Sequence, residues 1–212
     1  MASRRDVSFY RDLLHKPVVD CDGLPIGALL DLSTDPFNPT PGHSCVRKLV
    51  VRPRRFGRQV SANGNGKPLV VPWELVASLE PRSIRLRQTS QDLDPATLDG
   101  TEVLLHKHIL DQQIVDCRGS KLHRVNDITM AFSDGTLCPW GMDTGIRGFL
   151  TRLGFDWGLL TLLRPLYERL HHHVIRWECV DRVEPARGWI RLRVSRDEIR
   201  SAGRQAPQPP DA

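Results

Sequence analysis

The stretch that decides the fold reads LLHKPVVDCDGLPIGALLDL and occupies residues 13–32. A related stretch, ILDQQIVDCRGSKLHRVNDI, occupies residues 109–128, 96 positions further along the chain. Self-similarity at a fixed spacing predicts a structural unit that occurs twice. The identical pairs are Leu14 and Leu110, Val19 and Val115, Asp20 and Asp116, Cys21 and Cys117, Gly23 and Gly119, and Asp31 and Asp127.

A second pair of matching stretches follows in the same order. Residues 71–81 read VPWELVASLEP and residues 175–185 read IRWECVDRVEP. The tetrapeptide IRLR then occurs at 84–87 and again at 190–193. A common strand–turn pattern would explain the first match alone, but not further matches in fixed order. The chain therefore contains a duplication.

Each copy has the pattern of β structure. Gly23 follows Asp22 between two apolar runs and supplies the positive φ that a tight turn requires. Runs rich in β-branched residues predict strands at 17–20, 26–32, 45–51, 69–72 and 84–87, with a short helical turn at 73–79. The corresponding strands of the second copy are 102–106, 114–117, 121–132, 136–143, 174–177 and 190–194. The predicted fold class is all-β with short helices, each copy closing into a small barrel.

The predicted domains follow from the repeat. The first barrel covers 8–88, a polar linker covers 89–100, the second barrel covers 101–196, and 197–212 is a disordered tail. The second copy carries a helical insertion at about 145–171, where Ile146, Phe149, Leu150 and Leu153 fall on one stripe of a helix.

Composition restricts the class of protein. The 212 residues are 40% hydrophobic and 26% charged, with a net charge of +5, which is ordinary for a globular chain. The longest uncharged apolar-rich run, 157–163, is far shorter than the roughly twenty residues of a membrane-spanning helix. No apolar run follows the N-terminus as in a secretory signal. Five scattered cysteines favour a reducing cytoplasm over a disulfide framework.

The sequence offers no motif for catalysis, a metal or a cofactor, and none is predicted. Residues 171–173 are three histidines, but neighbouring residues of a strand point to opposite faces, so at most two of them could bind one zinc ion. We expect a polar junction between helix and strand there instead. Asp116 and Asp127 could serve a divalent cation, yet an aspartate before a glycine is also an ordinary turn residue. The turn role is the one we expect. Cys21 and Cys117 are expected to be small buried residues, and Trp73 and Trp177 core or seam aromatics.

The repeated stretches resemble the PRC-barrel domain, a small β-barrel of the photosynthetic reaction-centre H subunit and of a ribosome maturation factor. The second copy, with residues 109–116, 124–128 and 144–154, is similar to the PRC-barrel region attached to MgtE-type magnesium transporters. His123 replaces Gly27 in the second copy, which predicts an altered hairpin there. The resemblance implies a scaffold or regulatory module and supplies no catalytic residues.

We therefore expect a non-enzymatic cytoplasmic binding or regulatory module, an accessory of a magnesium-transport protein or another membrane protein at its cytoplasmic side. The partner surface is expected on the helical insertion, at Arg147, Phe149, Arg152 and Trp157. The alternative is an RNA- or ribosome-associated factor that binds through a basic loop. That loop contains Arg52, Arg54, Arg55 and Arg58.

Overall fold

The computed structural model describes residues 5–35, 45–53, 67–133, 135–145 and 174–202. This part of the chain consists mainly of strands with a few short helices, which confirms the all-β prediction. Whether the sheets close into barrels stays a prediction. None of the helices in the described ranges is long and apolar enough to cross a membrane.

The first copy forms one sheet of seven strands. Its strand order is β5-β4-β3-β2-β7-β6, and β8 from the start of the second copy also pairs with β3. A π-helix at Phe9–Leu13 precedes β2, and a 3-10 turn at Trp73–Leu75 precedes β6. The seven strands are β2 Pro17–Val19, β3 Pro25–Thr34, β4 Val46–Pro53, β5 Leu69–Pro72, β6 Val76–Leu79, β7 Ile84–Leu86 and β8 Val103–Leu104. Strand β1 (Arg5–Ser8) belongs to a different sheet.

The second copy contributes to two sheets. Their strand orders are β1-β11-β12-β13 and β10-β9-β15-β14. Helix α1 (Leu105–His108) follows β8, helix α2 (Arg196–Ala202) follows β15, and 3-10 turns lie at Trp177–Cys179 and Pro185–Arg187. The strands are β9 Gln113–Val115, β10 Lys121–Arg124, β11 Asp127–Ser133, β12 Thr136–Asp143, β13 Val174–Arg176, β14 Val180–Glu184 and β15 Trp189–Leu192.

Equivalent backbone hydrogen bonds show that the two copies share one local structure. The N–H of Asp20 donates to the carbonyl of Leu24, and the N–H of Asp116 donates to that of Ser120, both at 3.0 Å. The parallel pairing of β2 with β7 recurs as the pairing of β9 with β15. Both copies also place a left-handed residue before this strand, His15 at φ 65° and Asp111 at φ 64°. The duplication read from the sequence is thus a duplication of structure.

The copies differ where His123 replaces Gly27. At Gly27 the strand β4 passes so close that a Cβ atom would collide with the carbonyl oxygen of Arg52 and lie 2.8 Å from Val51 Cγ1. His123 does not permit this approach. The predicted single strand at 121–132 is therefore wrong: it is interrupted between β10 and β11, and Asn126 donates its N–H to the carbonyl of Asp143, where β12 ends (2.8 Å).

Three other predicted elements also differ. The predicted helical turn at 73–79 is a 3-10 turn at Trp73–Leu75 followed by strand β6. The predicted strand at 102–106 is a two-residue strand, β8, followed by helix α1. The predicted tail from 197 begins as helix α2, because Ser195 and Glu198 cap it reciprocally. The N–H of Ser195 donates to Glu198 Oε2 (2.6 Å), and the N–H of Glu198 donates to Ser195 Oγ (3.4 Å).

The chain packs as two compact units that divide it differently from the two copies. The first unit contains β1 to β8 and residues 130–139, which include parts of β11 and β12. The second contains residues 108–129 and the described chain from 140 onward. Each has an apolar core, with Leu29, Leu49 and Ile84 buried in the first and Ile114, Val180 and Ile190 in the second.

Candidate functional site

Most residues predicted to form a site lie outside the described residues. These are Arg147, Phe149, Arg152 and Trp157 of the insertion, the histidines at 171–173, and Arg54, Arg55 and Arg58 of the basic loop. Arg52 is described. It lies exposed near the end of β4, opposite Ala28.

The repeated aspartates before the turns have a structural role. Asp20 is fully buried, and its carboxylate accepts the backbone N–H groups of Asp22 (3.0 Å), Leu24 (2.8 Å) and Ser90 (3.2 Å). The carboxylate of Asp116 accepts the equivalent N–H groups in the second copy. Each carboxylate thus links its own turn by hydrogen bonds to the chain that follows the last strand of its copy, at Ser90 in the first copy and at Arg196 in the second. The donors to Asp116 are Arg118, Ser120 and Arg196.

Asp31 is buried and makes the same kind of contact with the start of α1. Its carboxylate accepts the N–H groups of Leu32 (2.8 Å), His106 (2.7 Å) and Lys107 (3.1 Å). Burial raises the pKa of Asp31 above its ordinary value, although these three donors act in the opposite direction.

The pKa of Asp116 changes in the other direction. Burial alone would raise it, but the N–H groups of Ser120, Arg196 and Arg118 outweigh burial and lower the pKa. Because these carboxylates accept hydrogen bonds from backbone N–H groups, we interpret them as residues that stabilise the turns and not as ligands of a cation. In the part of the chain that the structure describes, no three histidine, cysteine or carboxylate side chains group as metal ligands.

The cysteine predictions need two corrections. Cys45 and Cys138 form a disulfide across 93 positions of sequence, a pairing that no local motif reveals. Cys21 and Cys117 are exposed rather than buried, since their N–H groups bond the ends of their copies and their side chains lie outside the core. Desolvation, followed by the charges of Asp22 and Asp20, raises the pKa of the Cys21 thiol. This thiol is therefore not activated as a nucleophile.

The two repeated tryptophans differ in burial. Trp73 is half-buried and donates its indole N–H to the carbonyl of Gly135 (2.9 Å). Trp177 is buried, with 6% of its surface exposed. Trp177 is the core aromatic that we expected, and Trp73 is the aromatic at a seam.

The outward face of the sheet β10-β9-β15-β14 collects positive charge. Residues directly opposite each other on neighbouring strands lie on the same face. Arg191 of β15 is opposite Arg182 of β14 and Val115 of β9, and Val115 is opposite Lys121 of β10. Val115 itself is buried, so the charges of this row come from the strands on either side of β9. Two positions away on β14, β15 and β9, a second row contains Glu184, Trp189 and Gln113. On β10 the register shifts, and Arg124, three residues after Lys121, pairs with Gln113.

The inner face of this sheet is apolar. Ile114 is opposite Ile190, which is opposite Val183, and both isoleucines are completely buried. On β15 the buried Ile190 and Leu192 alternate with Trp189 and Arg191, and this alternation fixes which side the charges occupy. All of these residues belong to the second unit.

Five cations belong to this outward surface, which we call the basic face. Glu184 is the acidic residue among its cross-strand rows, and it pairs with Arg182 (2.8 Å) and Arg187 (3.3 Å). Asp181 precedes Arg182 on β14, and Asp111 lies two residues before β9. With five cations and Glu184 as the acidic residue of its rows, the basic face carries a net positive charge. Its cations are Lys121, Arg124, Arg182, Arg187 and Arg191.

An aromatic side chain lies among these cations. Trp189 is half-buried, and the guanidinium carbon of Arg187 is 5.8 Å from its ring centroid, within the range of a cation–π contact. Gly188, at φ 66°, ends the 3-10 turn and returns the chain toward β15.

The first copy provides an internal reference for this surface. Its corresponding row contains Ser78, Arg85, Val19 and Pro25 in place of Arg182, Arg191, Val115 and Lys121. Arg85 is neutralised by Glu80 at 2.7 Å. In the other row, Ser83 and Ala28 take the places of Trp189 and Arg124. The same backbone therefore carries a nearly neutral face in one copy and a basic, aromatic face in the other.

Sequence reasoning missed the basic face because its members come from three separate segments. The signal in the sequence is the alternation of apolar and basic residues at 190–193, which predicts a strand but does not show that its basic side joins those of other strands. The segments come together only through the strand register, in which Lys121 and Arg191 both pair with Val115.

Comparison with models of known protein families and with curated proteins finds no match for this chain.

Proposed function

We propose that this protein is a non-enzymatic binding module that binds nucleic acid through the basic face of its second unit. The observation that carries the proposal is the set of four cations in two cross-strand rows, with Arg187 beside them and Glu184 as the acidic residue of those rows. The corresponding row of the first copy has Arg85, which is paired with Glu80. A cluster of arginines beside an aromatic ring suits phosphates and bases better than it suits a metal or an apolar ligand. RNA is the form that the resemblance to a ribosome maturation factor favours.

The salt dependence of binding tests the electrostatic part of the proposal. If about five phosphates are contacted, log K should fall with log salt at a slope of about −3.5 for a single strand. A fourfold rise in salt should therefore weaken binding about 100-fold. Affinity is measured by fluorescence anisotropy with a labelled oligoribonucleotide between 50 and 200 mM salt, a range of about fourfold.

Two triple variants with equal charge changes make the test specific. Replacing Lys121, Arg182 and Arg191 by Gln should reduce the slope to about −1.4, because about two contacts remain. The control replaces Lys67, Arg82 and Arg87, exposed residues of the first copy, by Gln and should keep the original slope. Equal losses in both variants, or no binding by the unaltered protein, would refute the proposal.

A second candidate function is a regulatory module of the PRC-barrel type that binds a protein partner, such as a magnesium transporter or another membrane protein at its cytoplasmic side. Its support is the resemblance of both copies and the apolar stripe of the insertion. Replacing Phe149 and Trp157 by Ala should abolish capture of such a partner and leave thermal stability nearly unchanged. The Cys45–Cys138 disulfide argues against the cytoplasmic part of this proposal, because disulfides are rare in that compartment.

A further inference from the structure

Resting on the proposed function, we infer that the basic face binds single-stranded RNA and that a base stacks on the platform formed by Arg187 and Trp189. Sheet surfaces that bind single strands combine phosphate-binding cations with an aromatic ring on which a base stacks. Here the ring of Trp189 belongs to the second row, two positions from Arg191 on β15, and the guanidinium carbon of Arg187 lies 5.8 Å from the ring centroid.

The platform is built by a local difference between the copies. The first copy passes from Pro81 to Ile84 with two residues between them, whereas the second passes from Pro185 to Ile190 with four. The longer connection forms the 3-10 turn Pro185–Arg187 and the left-handed Gly188, and it holds Arg187 over Trp189. An unpaired base can stack on an indole ring or on a guanidinium plane.

The width of the sheet favours a single strand over a duplex. Four strands at about 4.8 Å spacing extend about 14 Å across their axes before side chains are added. The major groove of B-form DNA is about 12 Å wide and admits a helix or a two-stranded ribbon. The sheet therefore cannot enter the groove. A flexible strand can instead lie across the sheet with its phosphates on the cations and a base on the platform.

Gln113 provides a reason for RNA rather than DNA. It lies opposite Trp189 in the second row. Its amide nitrogen donates to the carbonyls of Ile114 and His123, both at 3.1 Å. With the amide nitrogen committed, its Oε1 atom is the group left to accept a hydrogen bond from a ligand. A ribose 2′-hydroxyl is such a donor, and deoxyribose lacks it.

Stacking is tested with Trp189 variants at constant salt, using a 12-nucleotide polyuridine probe. Trp189→Ala should weaken binding about 5- to 150-fold, the range measured for loss of one stacked base. Trp189→Phe keeps an aromatic face and should stay within about threefold of the unaltered protein. The melting temperature of each variant is measured in parallel, so that lost folding is separated from lost stacking.

The strand and sugar preferences are tested by competition. An RNA duplex and the equivalent single-stranded DNA should each compete at least about tenfold less well than the single-stranded RNA. Gln113→Leu should reduce the preference for RNA over DNA and leave the salt slope unchanged. If nucleic acid binds with the expected slope but Trp189→Ala binds normally, or duplex and DNA compete equally, this inference is wrong while the proposed function stands. Absence of any binding overturns both.

Discussion

The carboxylate of Asp31 offers a direct measurement of how strongly α1 is held. In Asp31→Ala, the backbone N–H groups of His106 and Lys107 lose acceptors at 2.7 and 3.1 Å. Hydrogen bonds to a charged group contribute about 1.5–3 kcal/mol each, so two of them amount to about 3–6 kcal/mol. Since burying this carboxylate offsets part of that gain, we expect a net loss of about 3 kcal/mol of unfolding free energy.

The loss is measured by urea unfolding and by thermal denaturation. For a chain of this size, about 3 kcal/mol corresponds to a fall of about 6–12 °C in melting temperature. The matched control is Asp35→Ala, which removes an exposed ion pair with Arg47 (2.7 Å) and should change stability by no more than about 0.5 kcal/mol. A loss below about 1 kcal/mol in Asp31→Ala would contradict the reasoning.

The pH dependence of the same variant gives an independent check. Because the folded protein raises the pKa of Asp31, the folded state binds this proton more tightly than the unfolded state does. The contribution of Asp31 to stability should therefore increase as pH falls through the folded pKa, and be complete below its ordinary value of 3.8. The stability difference between the unaltered protein and Asp31→Ala should widen on acidification, and a constant or shrinking difference would show that burial does not dominate.

Two further predictions concern the close approach of β4 and the disulfide. Gly27→Ala should lower the unfolding free energy, measured by urea titration, by about 1–3 kcal/mol, because its Cβ would collide with the carbonyl of Arg52. The control, His123→Ala at the equivalent exposed position of the second copy, should leave the unfolding free energy nearly unchanged. Under denaturing, non-reducing conditions three thiols should react with a chromogenic reagent, and five should react after reduction. The unfolding free energy of Cys45→Ser should be about 2–4 kcal/mol lower than that of the oxidised protein, and it should not change when a reducing agent is added. Five reactive thiols before reduction would show that the bond does not form.

The duplication and most strands could be predicted because they depend on local patterns. Asp20, Gly23 and their counterparts mark the same turn in both copies, and the turn geometry and the buried carboxylate follow from those residue types. The interruption after Arg124 had a visible cause in His123, although the sequence alone does not show how closely β4 approaches Gly27.

The features that escaped prediction depend on residues far apart in sequence. Cys45 and Cys138 are adjacent only because β-strands from both copies pack in the first unit. Likewise, Lys121 joins Arg182 and Arg191 only through the pairing of four strands. Such features require register and topology, which periodicity within a segment does not supply.

The pairing of β8 with β3 has a consequence for dissection of the chain. Leu104 and Val103 pair with Ser33 and Thr34, so the strand that opens the later repeat completes the sheet of the earlier one. A fragment ended within 89–100 would lose that strand, the donors to Asp31 and the cysteine that bonds Cys45. The boundary between the two copies, at 89–100, is therefore unsuitable for truncation. Either half expressed alone should be prone to misfolding.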